Sequence, residues 1–294
     1  MSQKLSTKLL TNPDRLEVQD SEKNVMATFT LGCYTVTLNG PQRTLKEHQA
    51  SITHTTWVRT LPTPFNGKLN ADWLTKALAA NQNQTPDILA IALQYIRGAP
   101  PILKQNNLQI AGDAGYGPVI NGKDQEGSDF NDYLGIPWKY DGNADNPEPE
   151  QLRCLDCSGF IRMIWGYRHN FPNSGYTDTI PLAKDLKDNL TLPRRAWQMY
   201  DSAPGIIITP NTNQPITNFS KLQIGDLVFF DGSNDDGNAI DHVGMYMGID
   251  TNGNHRFISS RKSLKGPTMR DNEKPSILNG DKHYAQSFRA VRRL

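Results

Sequence analysis

The stretch CLDCSGF, residues 154–160, admits three readings. Cys154 and Cys157 form a C-x-x-C, the spacing of a redox pair or of half a zinc site. Asp156-Cys157-Ser158-Gly159 instead suits a cysteine nucleophile at the start of a helix. Two small thiols can also simply fill a core. If Asp156 caps the helix, Cys157 is its first residue and its sulfur faces unpaired backbone N–H groups at the positive end of the dipole. That position predicts a lowered thiol pKa and donors for an oxyanion. Ser158 and Gly159 are small enough to let a substrate come close.

Downstream, GFIRMIWGYR places Phe160, Ile161, Ile164, Trp165 and Arg168 on one face, so Cys157 opens a buried helix. A thiol nucleophile needs a base. His242, in Asp-His-Val-Gly at the start of an apolar strand, is the candidate, with Gly244 leaving room on the same face. KLQIGDLVFFDG, DHVGMYMGI, HRFISSR and SFRAVRRL read as short strands joined by turns. Helices followed by strands predict an α+β class with an antiparallel sheet.

Upstream, Asn70 is expected to cap ADWLTKALAA. Thr85 is expected to cap a second helix, with Pro86 first and Asp87 in its first turn. Residues 98–133, rich in Gly, Pro, Asn and Asp, read as a long loop or insertion. Residues 1–24 read as a loosely ordered lead-in. FTLGCYTVTLNG reads as one strand whose phase slips between Cys33 and Tyr34, a bulge, and which Asn39-Gly40-Pro41 ends.

Composition narrows the partners. Lys plus Arg is 31 and Asp plus Glu 30 over 294 residues. That near-neutral balance argues against nucleic acid or an anionic membrane surface as the main partner. Three cysteines are too few for a disulfide framework, and no stretch is long and apolar enough to span a bilayer. The polar N-terminus lacks the apolar core of a secretory signal. Retention in the cell, export without such a signal, delivery to the cell wall, or a shortened chain all fit. A zinc site would need two more ligands at suitable spacing, so no metal or cofactor is expected. Cys154 is expected to be a structural thiol, and Cys33 a core residue.

Four blocks in order resemble the NlpC/p60 family of papain-like cysteine hydrolases, which cleave peptide stems of bacterial cell wall: TPDILAIALQYI, LGIPWKYDG, LDCSGFIRMIW, and IGDLVFFDG with DHVGMYMG. The resemblance implies a papain-like fold, its nucleophile helix packed on an antiparallel sheet, and an endopeptidase acting on peptidoglycan stem peptides. It also implies the division of the chain: 1–84, an N-terminal extension or small β-containing domain outside the resemblance, and 85–294, the catalytic domain. It implies Cys157 as nucleophile, His242 as general base, and Asp156 and Ser158 lining the pocket and binding the free amine of the substrate's first residue. Trp138 falls where the family usually has a Tyr near the substrate, and lacks its hydroxyl. Ser259, in Phe-Ile-Ser-Ser, occupies the place of the family's third polar residue, often His. His255, earlier on the same strand face, is the alternative third residue. Two rival readings remain open: another thiol amidase or acyltransferase, and a catalytically weakened wall-binding protein.

Overall fold

Among the described residues, two larger antiparallel sheets, three two-stranded ribbons and six short helices build the fold. The computed structural model describes residues 5–168, 179–186, 188–233, 237 and 239–294. Residues 1–4 of the expected lead-in lie outside them.

The first sheet is a meander of β1 (Ser6–Leu10), β2 (Arg15–Gln19), β3 (Val25–Thr30), β4 (Thr35–Glu47) and β5 (Ala50–Thr60), each paired with the next. The lead-in is therefore largely a β-hairpin, with Leu16 and Val18 buried against Ala27 and Phe29. The phase slip at Cys33 marks a turn between two strands and not a bulge in one: Cys33 N–H bonds the Thr30 carbonyl at 3.1 Å. Asn39-Gly40-Pro41 does not end β4. The strand runs on to Glu47 through a register shift between Asn39 and Arg43, because β5 is long enough to pair with both halves.

Helix α1 (Ala71–Gln82) is capped by Asn70, whose side chain accepts the Trp73 N–H at 3.0 Å. It buries Trp73, Leu74 and Ala77 on the first sheet. Helix α2 (Ile88–Ala92) is capped by Asp87, not Thr85. Asp87 accepts the Ala90 N–H and is also gripped by both terminal nitrogens of Arg43, at 2.8 and 2.6 Å. A charged partner on β4 thus fixes the helix start. The expected loop over 98–133 holds two short ribbons and the first turn of α3 (Phe130–Leu134), which opens with an Asp129–Asp132 capping box.

Helix α4 (Cys157–Arg162) continues through a wider turn over Met163–Tyr167, followed by α5 (Ala196–Ser202) and, before the last strand, α6 (His283–Ser287). The second sheet consists of β6 (Ile206–Thr209), β7 (Leu227–Phe230), β8 (His242–Ile249), β9 (His255–Arg261), β10 (Gly266–Thr268) and β11 (Phe288–Arg293). Its spatial order is β6-β11-β7-β8-β9-β10, all antiparallel. The class is α+β. β7 is central and buried throughout, which explains its unbroken apolar run Leu-Val-Phe-Phe.

One face of this sheet, through Val243, Met245 and Met247, packs on α4, where Phe160, Ile161, Ile164 and Trp165 are fully buried. Each such side chain contributes about 1.5–3 kcal/mol on leaving water. The same core takes in Tyr34, Leu45, Ile52 and Val58 from the first sheet. The other face carries Val228, Phe230, Tyr246, Phe257 and Tyr284. No helix among the described residues is long and apolar enough to cross a membrane.

Candidate active site

Three backbone bonds hold the segment entering α4. Gly115 N–H reaches the Arg153 carbonyl at 2.8 Å, Leu155 N–H returns to the Gly115 carbonyl at 2.8 Å, and Asp156 N–H reaches Ser128 at 2.9 Å. Asp156 caps the helix, accepting the Gly159 N–H at 2.7 Å. A Cβ on Gly159 would lie 2.2 Å from the Ser128 carbonyl oxygen. Its smallness therefore serves helix packing on residues 128–129, where substrate access was expected.

Cys157 starts the helix as expected, but it is buried. Burial, and then the Asp156 charge beside it, pushes its thiol up to about 12, although the Val243 N–H favours the anion. The expected drop in pKa is overturned because desolvation of a covered sulfur outweighs a few helix N–H groups. That same Val243 bond brings the sulfur to the first residues of β8, next to His242.

His242 opens β8, and its Nε2 lies 3.1 Å from Ser259 Oγ on β9. The ring packs against Phe230 and Tyr284, with centroids 5.7 and 5.5 Å away. A Cβ on Gly244 would sit 3.1 Å from Ser259 Cβ and 2.8 Å from the Phe257 ring, so the close His242–Ser259 approach depends on that glycine. Burial, followed by Arg261 and His283, lowers the His242 pKa to about 3. The resting pair is thus neutral thiol and neutral imidazole. With Nε2 engaged by Ser259, Nδ1 is the ring nitrogen left to take a proton.

His255 does not reach this site. It lies four residues before Ser259, about 13 Å along an extended strand, opposite Ile249. Its Nδ1 is 2.8 Å from the Tyr246 hydroxyl, and its ring stacks on Phe219. Trp138 is also displaced from its expected role. Its ring is held by Tyr140, Phe130 and the Arg162 guanidinium, at 4.5, 5.4 and 4.8 Å, and it does not line the cavity beside His242.

That cavity, about 520 Å³, is walled by Tyr116, Glu126, Asp241, His242, Arg261 and Tyr284 among others. Tyr116 is the aromatic that sequence reasoning missed. Its hydroxyl is 3.4 Å from Glu126, and burial, then the nearby Cys157 and Asp156, hold it strongly in the protonated, donating form. An aromatic set between glycines in Gly115-Tyr116-Gly117 was the available signal. Lys262–Glu126 and Lys265–Asp124 ion pairs, each 2.5 Å, tie this loop to the turn after β9.

Asp156 and Ser158 are not among the residues walling the cavity, and neither is Cys157, which lies buried behind His242. The guanidinium of Arg194 binds Asp156 at 3.1 and 2.6 Å and the Ser158 hydroxyl at 2.7 Å. Behind it, Asp129 binds Arg162 through both oxygens at 3.0 Å. Two buried carboxylates are thus matched by two buried guanidinium groups.

A cysteine on a helix start, beside a strand histidine oriented by a hydroxyl, can carry acyl transfer through sulfur. Residues 135–276 match the model of the NlpC/P60 family. Families of this kind are generally cell-wall peptidases and hydrolases. A solved structure from Staphylococcus aureus subsp. aureus Mu50, described as similar to a lipoprotein of the NLP/P60 family, shares 20% identity with a TM-score of 0.27. The match covers 55% of this chain and 38% of that one, so the chain spans well under half of that protein's length. No curated protein matches.

Proposed function

We propose that the chain is a cysteine endopeptidase that cleaves an amide bond in peptidoglycan stem peptides. The observation that carries this reading is the His242 Nε2–Ser259 Oγ contact beside the strand position that holds the Cys157 sulfur. In this mechanism the substrate carbonyl enters the cavity, His242 takes the thiol proton as sulfur attacks, and the proton then passes to the leaving amine. Water hydrolyses the thioester by the same route. The Tyr116 hydroxyl supplies the hydrogen bond that Trp138 lacks. The papain-like arrangement belongs to this reading, as do an N-terminal extension over residues 1–84 and a catalytic domain over 85–294. The insertion at 98–133 forms one wall of the cleft through Tyr116 and Glu126.

The test is incubation of purified peptidoglycan and soluble muropeptides with the wild type and with Cys157→Ala, read by mass spectrometry. New fragments from the wild type alone are expected, and their masses name the bond. Stem fragments whose new carboxyl end is joined to an added amine acceptor, in place of hydrolysed fragments, would move the reading to an acyltransferase.

Ser259→Ala removes the partner of Nε2 and frees the ring to turn. It is expected to lower kcat about 10-fold with little change in KM, while Ser259→Thr keeps most activity. An unchanged kcat in the alanine variant would show that the hydroxyl does not orient the base.

A further inference from the structure

The outer edge of the second sheet is held from elsewhere in the chain. β10 is three residues long, carries Pro267 at its centre and stands at the end of the strand order. It pairs with β9 in the register Ser259–Thr268, Ser260–Pro267 and Arg261–Gly266. Residues opposite one another in an antiparallel pair project their side chains from the same face, with Cβ atoms about 4.5–5.5 Å apart. Thr268 is therefore the cross-strand neighbour of the serine whose hydroxyl lies 3.1 Å from His242 Nε2, and both side chains are buried.

Glu47, the last residue of β4, closes that edge and is itself buried. Its Oε1 accepts the Thr268 hydroxyl at 2.8 Å, and its Oε2 accepts the Met269 N–H at 2.7 Å. Thr268 Oγ1 in turn accepts the Arg270 N–H at 3.0 Å, which leaves the hydroxyl proton for Glu47. Burial raises the Glu47 pKa, opposed first by these two donors and only then by Arg270 and Arg261. A carboxyl in such a place costs more than an apolar side chain of similar size. What it adds is a two-point grip on the end of one short strand.

We infer that Glu47 is a positioning residue for the reaction: it holds Thr268 beside Ser259, so that the first sheet, which lies outside the family match, fixes the hydroxyl that orients His242. The inference rests on the proposed roles of Ser259 and His242 for its consequence, and on the β4–β10 contacts for its geometry. Ser260, next along β9, separately donates to the Leu155 carbonyl ahead of Cys157. Loss of the Glu47 grip thus loosens the edge and leaves the nucleophile helix in place.

The experiment uses full-length Glu47→Gln, Ser259→Ala and the double variant. Glutamine keeps the volume but offers one acceptor oxygen to two donors. Glu47→Gln is expected to lower kcat about 5-fold, with KM changed by less than about 2-fold. Made in the Ser259→Ala background, it is expected to cost less than about 2-fold more, because the group it positions is already gone. A further loss of about 5-fold in that background, a rise in KM alone, or an unchanged kcat overturns the inference. A second measurement needs no turnover: the ring nitrogens of His242 are followed by nitrogen NMR. The wild type is expected to hold the single tautomer protonated at Nε2, and Glu47→Gln to move it toward a mixture, as Ser259→Ala does. Ring nitrogens that match the wild type overturn the inference whatever the stem peptides do. Should Glu47→Gln fail to fold, Thr268→Val removes the same hydroxyl contact with little change in volume and is read in the same way. Moved ring nitrogens, with no stem peptide cut by the wild type, sink the endopeptidase reading and leave the Glu47 role standing.

Discussion

Cys157→Ala should lower kcat/KM by about 10⁴-fold or more, since it removes the atom that forms the acyl-enzyme. The informative companion is the pH profile of the wild type. A preformed thiolate–imidazolium pair would give a Cys157 alkylation rate that is flat from mildly acidic pH upward. Here the thiol is pushed up to about 12 and His242 down to about 3, both chiefly by burial. The sign of each follows: the neutral thiol persists below its raised pKa, and the neutral imidazole persists above its lowered one. Iodoacetamide labelling of Cys157 should therefore climb about 10-fold per pH unit through pH 10 without a plateau. The acid limb of kcat/KM, which reports the free enzyme, should lie below pH 5. A labelling plateau beginning near pH 6 would mean that an ion pair exists at rest and that the closed thiol does not govern reactivity.

The contrast between Cys157 and Arg194 shows what could be read from the chain and what could not. The helix start at Asp156 and the strand opening at His242 follow from local patterns, a capping residue before an apolar stripe and short apolar runs bounded by turns, whereas Ser259 was singled out only by the family resemblance. Those patterns placed β7, β8, β9 and β11 within a few residues. The burial of Cys157 depends on what surrounds the sulfur, and its neighbourhood includes the electrostatically linked Tyr116 about forty residues earlier, which no local pattern encodes. Arg194 reaches Asp156 across 38 residues of chain, so the amine site looked open from sequence. His255 was misplaced for a different reason. Alternation puts His255 on the face of Ser259, but four residues of strand, about 13 Å, separate the two, a distance the sequence already contained. The first sheet was misread where turns fall inside an alternating run: Leu31-Gly32-Cys33-Tyr34 is a hairpin connection, whereas Asn39-Gly40-Pro41, a turn signal by composition, is absorbed into β4 as an irregularity.

The largest expected loss of stability comes from Arg293 on β11. Its guanidinium binds Asp226 at 2.8 and 3.0 Å, both side chains being almost wholly shielded, and reaches across to the Thr30 hydroxyl on β3 at 3.0 Å. The neighbouring backbone continues the link, with Thr35 N–H bonding the Leu294 carbonyl at 2.7 Å. Arg293→Ala leaves Asp226 buried and unpaired, at a cost of about 3–5 kcal/mol. Burial already raises the Asp226 pKa even with Arg293 present. Without the arginine, its folded-state pKa rises further above the unfolded value. A raised carboxyl stabilises the fold below the unfolded pKa and loses that contribution as pH rises through the folded one. The deficit relative to wild type should therefore narrow as pH falls toward 4. Urea denaturation at pH 7 and pH 4.5 measures it. Adding Asp226→Leu to the variant should recover part of the loss, since a buried pair removed together costs less than one partner removed alone. A loss below about 1 kcal/mol at pH 7 would mean that water reaches Asp226, and that this pair does not clamp the two sheets together.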